Sequence, residues 1–258
     1  MARTISIANQ KGGVGKTTTT VNLGAALAEK GQRVLLIDLD AQAHLSINMG
    51  LKAPDELDKS VYDLLVDPSV TVSDVVLENE GMGLHYLPSN IELAGAEVQL
   101  LNEIGREGIL KEKLDAVQRR YDYVVIDCPP ALNLITINAF VASDEVIIPL
   151  QCEYFGMKGM QQLLNSVDRV RAKLNPKLHV GGILPTIYKS RTLHSQEVLQ
   201  LVKEHFGTQV FDFAVKDSIR FAESPLAAAS ILQYAANSDG AAAYRALAKA
   251  VMDNSNHR

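Results

Sequence analysis

Asn9-Gln10-Lys11-Gly12-Gly13-Val14-Gly15-Lys16-Thr17-Thr18 follows the apolar run Ile5 to Ala8 and leads into a helix-forming stretch, Thr18 to Lys30. Small residues at Gly12, Gly13 and Gly15 let successive backbone N–H groups, with those of Val14 and Thr18 beside them, close around phosphate oxygens. Lys16 can reach the outer phosphates and the Thr17 hydroxyl can ligate magnesium. Apolar residues at Val21, Leu23, Ala25, Ala26 and Leu27 give the following stretch a helical stripe, and its N-terminus would point at the phosphates. Strand, glycine-rich loop and helix stand in the order that a phosphate-binding loop requires.

The loop departs from the pattern G-x-x-x-x-G-K-[ST] at one place: Gln10 stands where the first glycine belongs, with Lys11 beside it. The spacing K-G-G-x-G-K-[ST] resembles the deviant Walker A family of P-loop NTPases. That resemblance implies that Lys11 reaches across a dimer interface to the nucleotide held by the other subunit. Two polyanionic nucleotides facing one another need cations between them.

Two further acidic signals end hydrophobic runs. Val34-Leu35-Leu36-Ile37-Asp38-Leu39-Asp40-Ala41-Gln42 carries aspartates two apart, which share one side if the strand geometry persists. Tyr123-Val124-Val125-Ile126-Asp127-Cys128-Pro129-Pro130 carries one. In a Walker B arrangement Asp127 holds magnesium, directly or through water, beside Thr17. Asp40 is then free to orient or activate the attacking water and to touch the metal site. Either aspartate alone could equally be a helix cap or turn residue; a phosphate loop in the same sheet favours the chemical reading.

The elements that must position these residues alternate. Strands are expected at Thr4 to Ala8, Arg33 to Leu39, Leu84 to Pro88, Tyr123 to Asp127, Glu145 to Leu150 and His179 to Thr186, with a weaker one at Gln209 to Phe213. Several are continuous Val/Ile/Leu runs, as expected where helices cover both sheet faces. Helices are expected at Asn90 to Asn102, Arg106 to Arg120, Asn133 to Val141, Met157 to Leu174, Leu193 to Phe206 and Gly240 to Met252. The acidic, turn-rich Leu51 to Gly83 segment should carry short peripheral helices. The fold class that follows is α/β: a doubly wound, mostly parallel sheet flanked by helices. Ligands in such sheets lie beyond the carboxyl ends of the strands, which makes Thr186 a candidate for contact with the nucleotide base.

A chain of 258 residues with 47% hydrophobic residues suits one undivided α/β domain. By composition, flexibility is expected in the last few residues alone. No run approaches the ~20 apolar residues of a membrane span, and Met1-Ala2-Arg3-Thr4 leads into a strand rather than a signal peptide; a cytoplasmic location is expected. Cys128 and Cys152 suit neither a disulfide framework nor a C-x-x-C metal site, and read as small core residues near strand ends. The six histidines have no metal-ligand spacing. A net charge of −5 means that any nucleic-acid binding must come from a local patch.

Together, the loop at Lys11 to Thr18, Asp38-Leu39-Asp40 with Gln42, Asp127-Cys128-Pro129-Pro130 and the later Pro185-Thr186-Ile187-Tyr188-Lys189-Ser190-Arg191-Thr192 resemble the ParA-type partition ATPases, in the group that includes MinD and nitrogenase iron protein. The chain is similar to the short Soj-like form. The resemblance implies an ATP- and magnesium-dependent ATPase that forms a nucleotide-sandwich homodimer, binds DNA without sequence preference and releases it when a ParB-like adaptor stimulates hydrolysis. It implies a cytoplasmic, nucleoid-associated protein without stable membrane association. Family DNA-binding arginines match Arg191 and Arg220, and Lys189 and Lys216 could extend the patch. Asp217, beside that patch, and Ala41, where a proline usually follows the second aspartate, depart from the family pattern.

Related cycles position protein cargo on the nucleoid, and nothing in the sequence names the cargo. A MinD-like membrane cycle needs an amphipathic C-terminal helix with bulky apolar and basic faces. The stripe Ala241, Tyr244, Leu247, Ala248 and Val251 instead reads as docked on the core. A shared metal cluster like that of the iron protein needs a cysteine context absent around Cys128 and Cys152.

Overall fold

The computed structural model describes residues 1–152 and 156–255. The expected flexible tail falls largely on residues 256–258, outside the described residues.

Seven strands form one sheet: β1 (Arg3–Ile7), β2 (Val34–Asp38), β3 (Leu77–Asn79), β4 (Leu84–Leu87), β5 (Tyr123–Asp127), β6 (Glu145–Gln151) and β7 (His179–Thr186). Their order is β3-β4-β2-β5-β1-β6-β7. All pairings are parallel except the β3–β4 hairpin at one edge. Alternate residues of the central strands enter separate cores. Leu35, Ile37, Val124 and Ile126 lie in one, while Val34, Leu36, Tyr123 and Val125 lie in the other. Burial on both faces accounts for their unbroken apolar sequences.

Helix α1 (Lys16–Glu29) follows β1 across the phosphate loop. Gly24 lets it approach the sheet closely, since a Cβ there would lie 2.6 Å from a Leu36 methyl. The terminal helix Asp239–Ser255 buries Ala241, Tyr244, Leu247, Ala248 and Val251 in the same core as α1, so the apolar stripe is docked as expected. Among the described residues no helix is long and apolar enough to cross a membrane.

The strand expected at Gln209 to Phe213 does not form. A 3-10 turn covers Gly207–Gln209, and Val210 makes an isolated bridge to Ile183. Gly182 lacks a Cβ where Phe211 packs, its ideal Cβ falling 2.5 Å from that ring, and the chain leaves the β7 edge after one pairing. Conversely, β3 was hidden in the turn-rich stretch, because Leu77-Glu78-Asn79 is too short to show a period. The expected helix Arg106 to Arg120 shortens to Ile109–Asp115, and Asn90 to Asn102 to Leu93–Gln99 followed by a 3-10 turn.

Candidate active site

The carboxyl ends of β1, β2 and β5 lie side by side. Register pairs Asp38 with Asp127 and Ile7 with Asp127, so the acidic strand ends flank the loop that leaves β1. In that loop Gly13 (φ 71°) and Gly15 (φ 88°) take left-handed backbone, which glycine adopts without steric cost. Gly15 is also the N-cap of α1, leaving the helix's first N–H groups facing the loop's concave side. The Asn9 carboxamide anchors the loop's start, donating to the Pro149 carbonyl at 2.7 Å and accepting from the Lys11 N–H at 3.0 Å.

The side chains then fall into place. Lys16 Nζ donates to the Lys11 carbonyl at 3.1 Å. The Thr17 hydroxyl donates to Asp127 at 2.6 Å, and Thr20 reaches the other carboxylate oxygen at 3.4 Å. The Thr186 hydroxyl donates to the Val14 carbonyl at 2.8 Å, putting Thr186 beside the loop. Lys11 Nζ donates to Gln151 Oε1, at the end of β6, at 2.9 Å.

Asp38 and Asp40 part company. The strand ends at Asp38, which is fully buried and accepts from the Ser46 N–H (2.9 Å), the Ser46 hydroxyl (2.7 Å) and the Asp40 N–H (3.2 Å). Asp40 lies beyond the strand, accepts from the Gln42 N–H at 3.0 Å and lines the cavity in front of the loop. The strand ends before Asp40, and the two carboxylates differ in burial, Asp38 being enclosed and Asp40 half-buried.

That cavity, about 590 Å³, is lined by Gly12, Gly13 and Gly15 to Thr18 of the loop and by Thr186, Val215, Phe221 and Tyr244. Its size and mixed lining suit a small anionic ligand with an apolar portion. Electrostatics agree. Burial holds the Lys16 ammonium below its ordinary value, against the pull of Asp127. Burial, reinforced by the nearby Asp38 carboxylate, holds Asp127 well above the usual carboxylate range. Phosphate oxygens beside Lys16 and a divalent cation beside Asp127 would oppose both shifts.

The donors fit magnesium: a hydroxyl and a carboxylate, both hard oxygen ligands. Among the described residues no group of three His, Cys, Asp or Glu could hold a metal, so the remaining ligands would be phosphate oxygens and water, as is usual for this ion. Both cysteines are buried near strand ends. Burial pushes the Cys128 thiol to about 12 and the Cys152 thiol to about 11, which leaves neither as a ready nucleophile.

Of the residues expected to meet DNA, Arg191 and Arg220 are exposed. Lys189 Nζ lies 3.8 Å from Asp217, and Lys216 Nζ lies 2.7 Å from Asp239; Lys216 also lines the loop cavity. Several neighbours of the site escaped the sequence reading, Gln151, Ser46 and Tyr244 among them. Gln151 ends a strand at the ligand edge, a placement that could have flagged it. Ser46 and Tyr244 had no motif to reveal them.

A family model described as an AAA domain matches residues 2–180. The sporulation initiation inhibitor protein Soj of Bacillus subtilis is 45% identical over 254 residues, covering 98% of this chain and 100% of that protein. The chromosome partitioning protein ParA of Caulobacter vibrioides is 40% identical over 258 residues, covering 99% of this chain and 96% of its own. Among solved structures, cobyrinic acid a,c-diamide synthase from Mycobacterium smegmatis, with bound ADP and magnesium, superposes with a TM-score of 0.87 at 40% identity, covering 98% of this chain and 94% of that one. With a phosphate loop of deviant spacing, acidic strand ends beside it and relatives of this kind over its whole length, the chain belongs to the ParA/Soj-type partition ATPases of the P-loop fold.

Proposed function

We propose that this chain is a magnesium-dependent ATPase that dimerises around ATP, binds duplex DNA without sequence preference as that dimer, and lets go when a ParB-like adaptor stimulates hydrolysis. The cargo would be chromosomal or plasmid DNA, in the cytoplasm on the nucleoid. The observation that carries this reading is the joining of Thr17 to Asp127 at 2.6 Å within a glycine loop whose cavity also takes in Asp40.

In this reading the loop N–H groups from Gly12 to Thr18 and Lys16 hold the phosphates, with Thr186 beside the loop. Thr17 and Asp127 would hold magnesium, which would supply positive charge against the phosphates, and Asp40 lines the same cavity. Asp40 orients the attacking water. As the water oxygen bonds the γ-phosphorus, the bond to the bridging oxygen breaks, and Lys16 opposes the growing negative charge. Lys11, held in this chain by Gln151, turns to the partner's nucleotide in the dimer.

Arg191 and Arg220 supply the phosphate-backbone contacts, whose strength falls with salt. Lys189 and Lys216 already face carboxylates and add less. An amide-forming reaction, as the diamide synthase's name implies for that protein, draws less support here. A cysteine nucleophile releasing nitrogen from glutamine would have to be a reactive thiolate, and both thiols here are buried and raised.

Lys16→Ala should abolish nucleotide binding by calorimetry. Asp40→Ala should bind ATP, accumulate as a dimer in sedimentation and lose at least about 100-fold in turnover. Wild-type turnover in Asp40→Ala would sink the assignment of the water-orienting group.

A further inference from the structure

The segments carrying Arg191 and Arg220 lie far from the phosphate loop in sequence, yet both are built into the wall of the cavity in front of it. Ile187, Val215, Lys216, Asp217 and Phe221 all line that cavity. We propose that Ile187 is a positioning residue that makes the placement of Arg191 and Arg220 depend on the nucleotide in the loop. This rests on the DNA-binding reading above.

Four consecutive residues make the connection. Pro185 accepts a hydrogen bond from the Val215 N–H at 2.8 Å. Thr186 donates its hydroxyl to the Val14 carbonyl, inside the phosphate loop, at 2.8 Å. Ile187 comes next, with φ at 49°. Tyr188 then pairs with the second segment in both directions: its N–H donates to Val215 at 3.1 Å and its carbonyl accepts from Asp217 at 3.2 Å. Lys189 closes the contact with its ion pair to Asp217 at 3.8 Å. Arg191 lies three residues beyond Tyr188, and Arg220, at the start of the helix Arg220–Glu223, three beyond Asp217.

The backbone at Ile187 is the informative feature. A β-branched residue in the left-handed region is a genuine outlier, because its Cβ crowds the backbone, and such strain persists where contacts on both sides over-determine it. Here those contacts are the phosphate loop on one side and the paired arginine segments on the other. Relaxing Ile187 to ordinary φ must disturb one or the other. Phosphate oxygens drawing the loop N–H groups toward them would also reset the Val14 carbonyl, and Thr186, bonded to it, would pass that change to Ile187, for which the ordinary negative-φ backbone is the lower-energy alternative to the φ of 49° it holds. Such a bistable element is what coupling between two sites requires.

The test separates backbone from side chain. Ile187→Gly and Ile187→Asn both accept left-handed backbone readily, whereas Ile187→Ala shortens the side chain and keeps the penalty. Affinity for a fluorescently labelled nonspecific duplex is measured at saturating ATP and at saturating ADP, so that altered nucleotide affinity is divided out, with the dimer followed by sedimentation. The wild type should bind DNA roughly tenfold or more tighter with ATP than with ADP. In the Gly and Asn variants that ratio should fall to within about threefold while the ATP-dependent dimer persists, and Ile187→Ala should keep the wild-type ratio. An unchanged ratio in Gly and Asn, or an equal loss in all three variants, would overturn the role of the backbone. So would loss of the dimer in Gly and Asn. A wild type without ATP preference for DNA would instead remove the DNA-binding reading itself.

Discussion

At the scale of single residues, the site divides carboxylates that look alike in sequence. Asp38 is buried and satisfied by Ser46, Asp127 is buried beside the Thr17 hydroxyl, and Asp40 faces the cavity. The motif-bearing residues from Lys11 to Thr18 were legible in advance because their spacing is dictated by phosphate geometry, and Asp127 because it ends a hydrophobic strand. The role of Asp38 was not, since its partner Ser46 comes from a short helix, His44–Asn48, with no signature. Burial raises Asp38 from 3.8 to about 6, so in the nucleotide-free protein the folded state holds that proton more tightly than the unfolded chain. The associated stability is fully present below pH 3.8 and is lost as pH rises through about 6, a change on the order of 3 kcal/mol. Urea midpoints of wild type should therefore decline more between pH 4 and pH 7 than those of Asp38→Asn, all else in the buffer being equal. Parallel declines in the two proteins would contradict this account of Asp38.

At the scale of elements, periodicity and composition located all the parallel strands, most directly β2 and β5, where burial on both faces leaves Val, Ile and Leu in unbroken runs. What stayed hidden was decided by tertiary contact. The edge strand β3 depends on pairing with β4, and the pieces Arg220–Glu223 and Ile231–Tyr234 are too short to display a helical period. Gln209 to Phe213 had strand-like residues but met the glycine-backed edge of β7, where Phe211 packs as a side chain instead of extending a ladder. The terminal helix was readable from its stripe, and its contribution is measurable. Leu247 is fully buried against α1, so Leu247→Ala should cost about 2 to 5 kcal/mol of unfolding free energy. A loss under about 1 kcal/mol would mean that the helix is not docked as described. Tyr244 on the same helix lines the cavity and contacts Thr19 of α1 at 3.3 Å, so this helix also braces the nucleotide wall from the far end of the chain.

At the scale of the whole molecule, a net charge of −5 means that the proposed DNA binding must come from local cations. The two exposed arginines stand near the nucleotide cavity, on segments zipped to one another through Tyr188. Arg191→Glu and Arg220→Glu should each weaken duplex binding by about tenfold or more at low salt, while leaving ATP-dependent dimerisation intact in sedimentation. Loss of the dimer along with DNA binding would move these arginines from the DNA surface to the subunit interface. The decisive measurement of nucleotide-dependent DNA binding is that of the wild type on a nonspecific duplex with ATP, with ADP and without nucleotide, at two salt concentrations. Binding should appear in the ATP state and weaken steeply as salt rises, with little binding in the other two states. Equal binding in all three states, or no binding in the ATP state despite an ATP-dependent dimer, would contradict the proposed function.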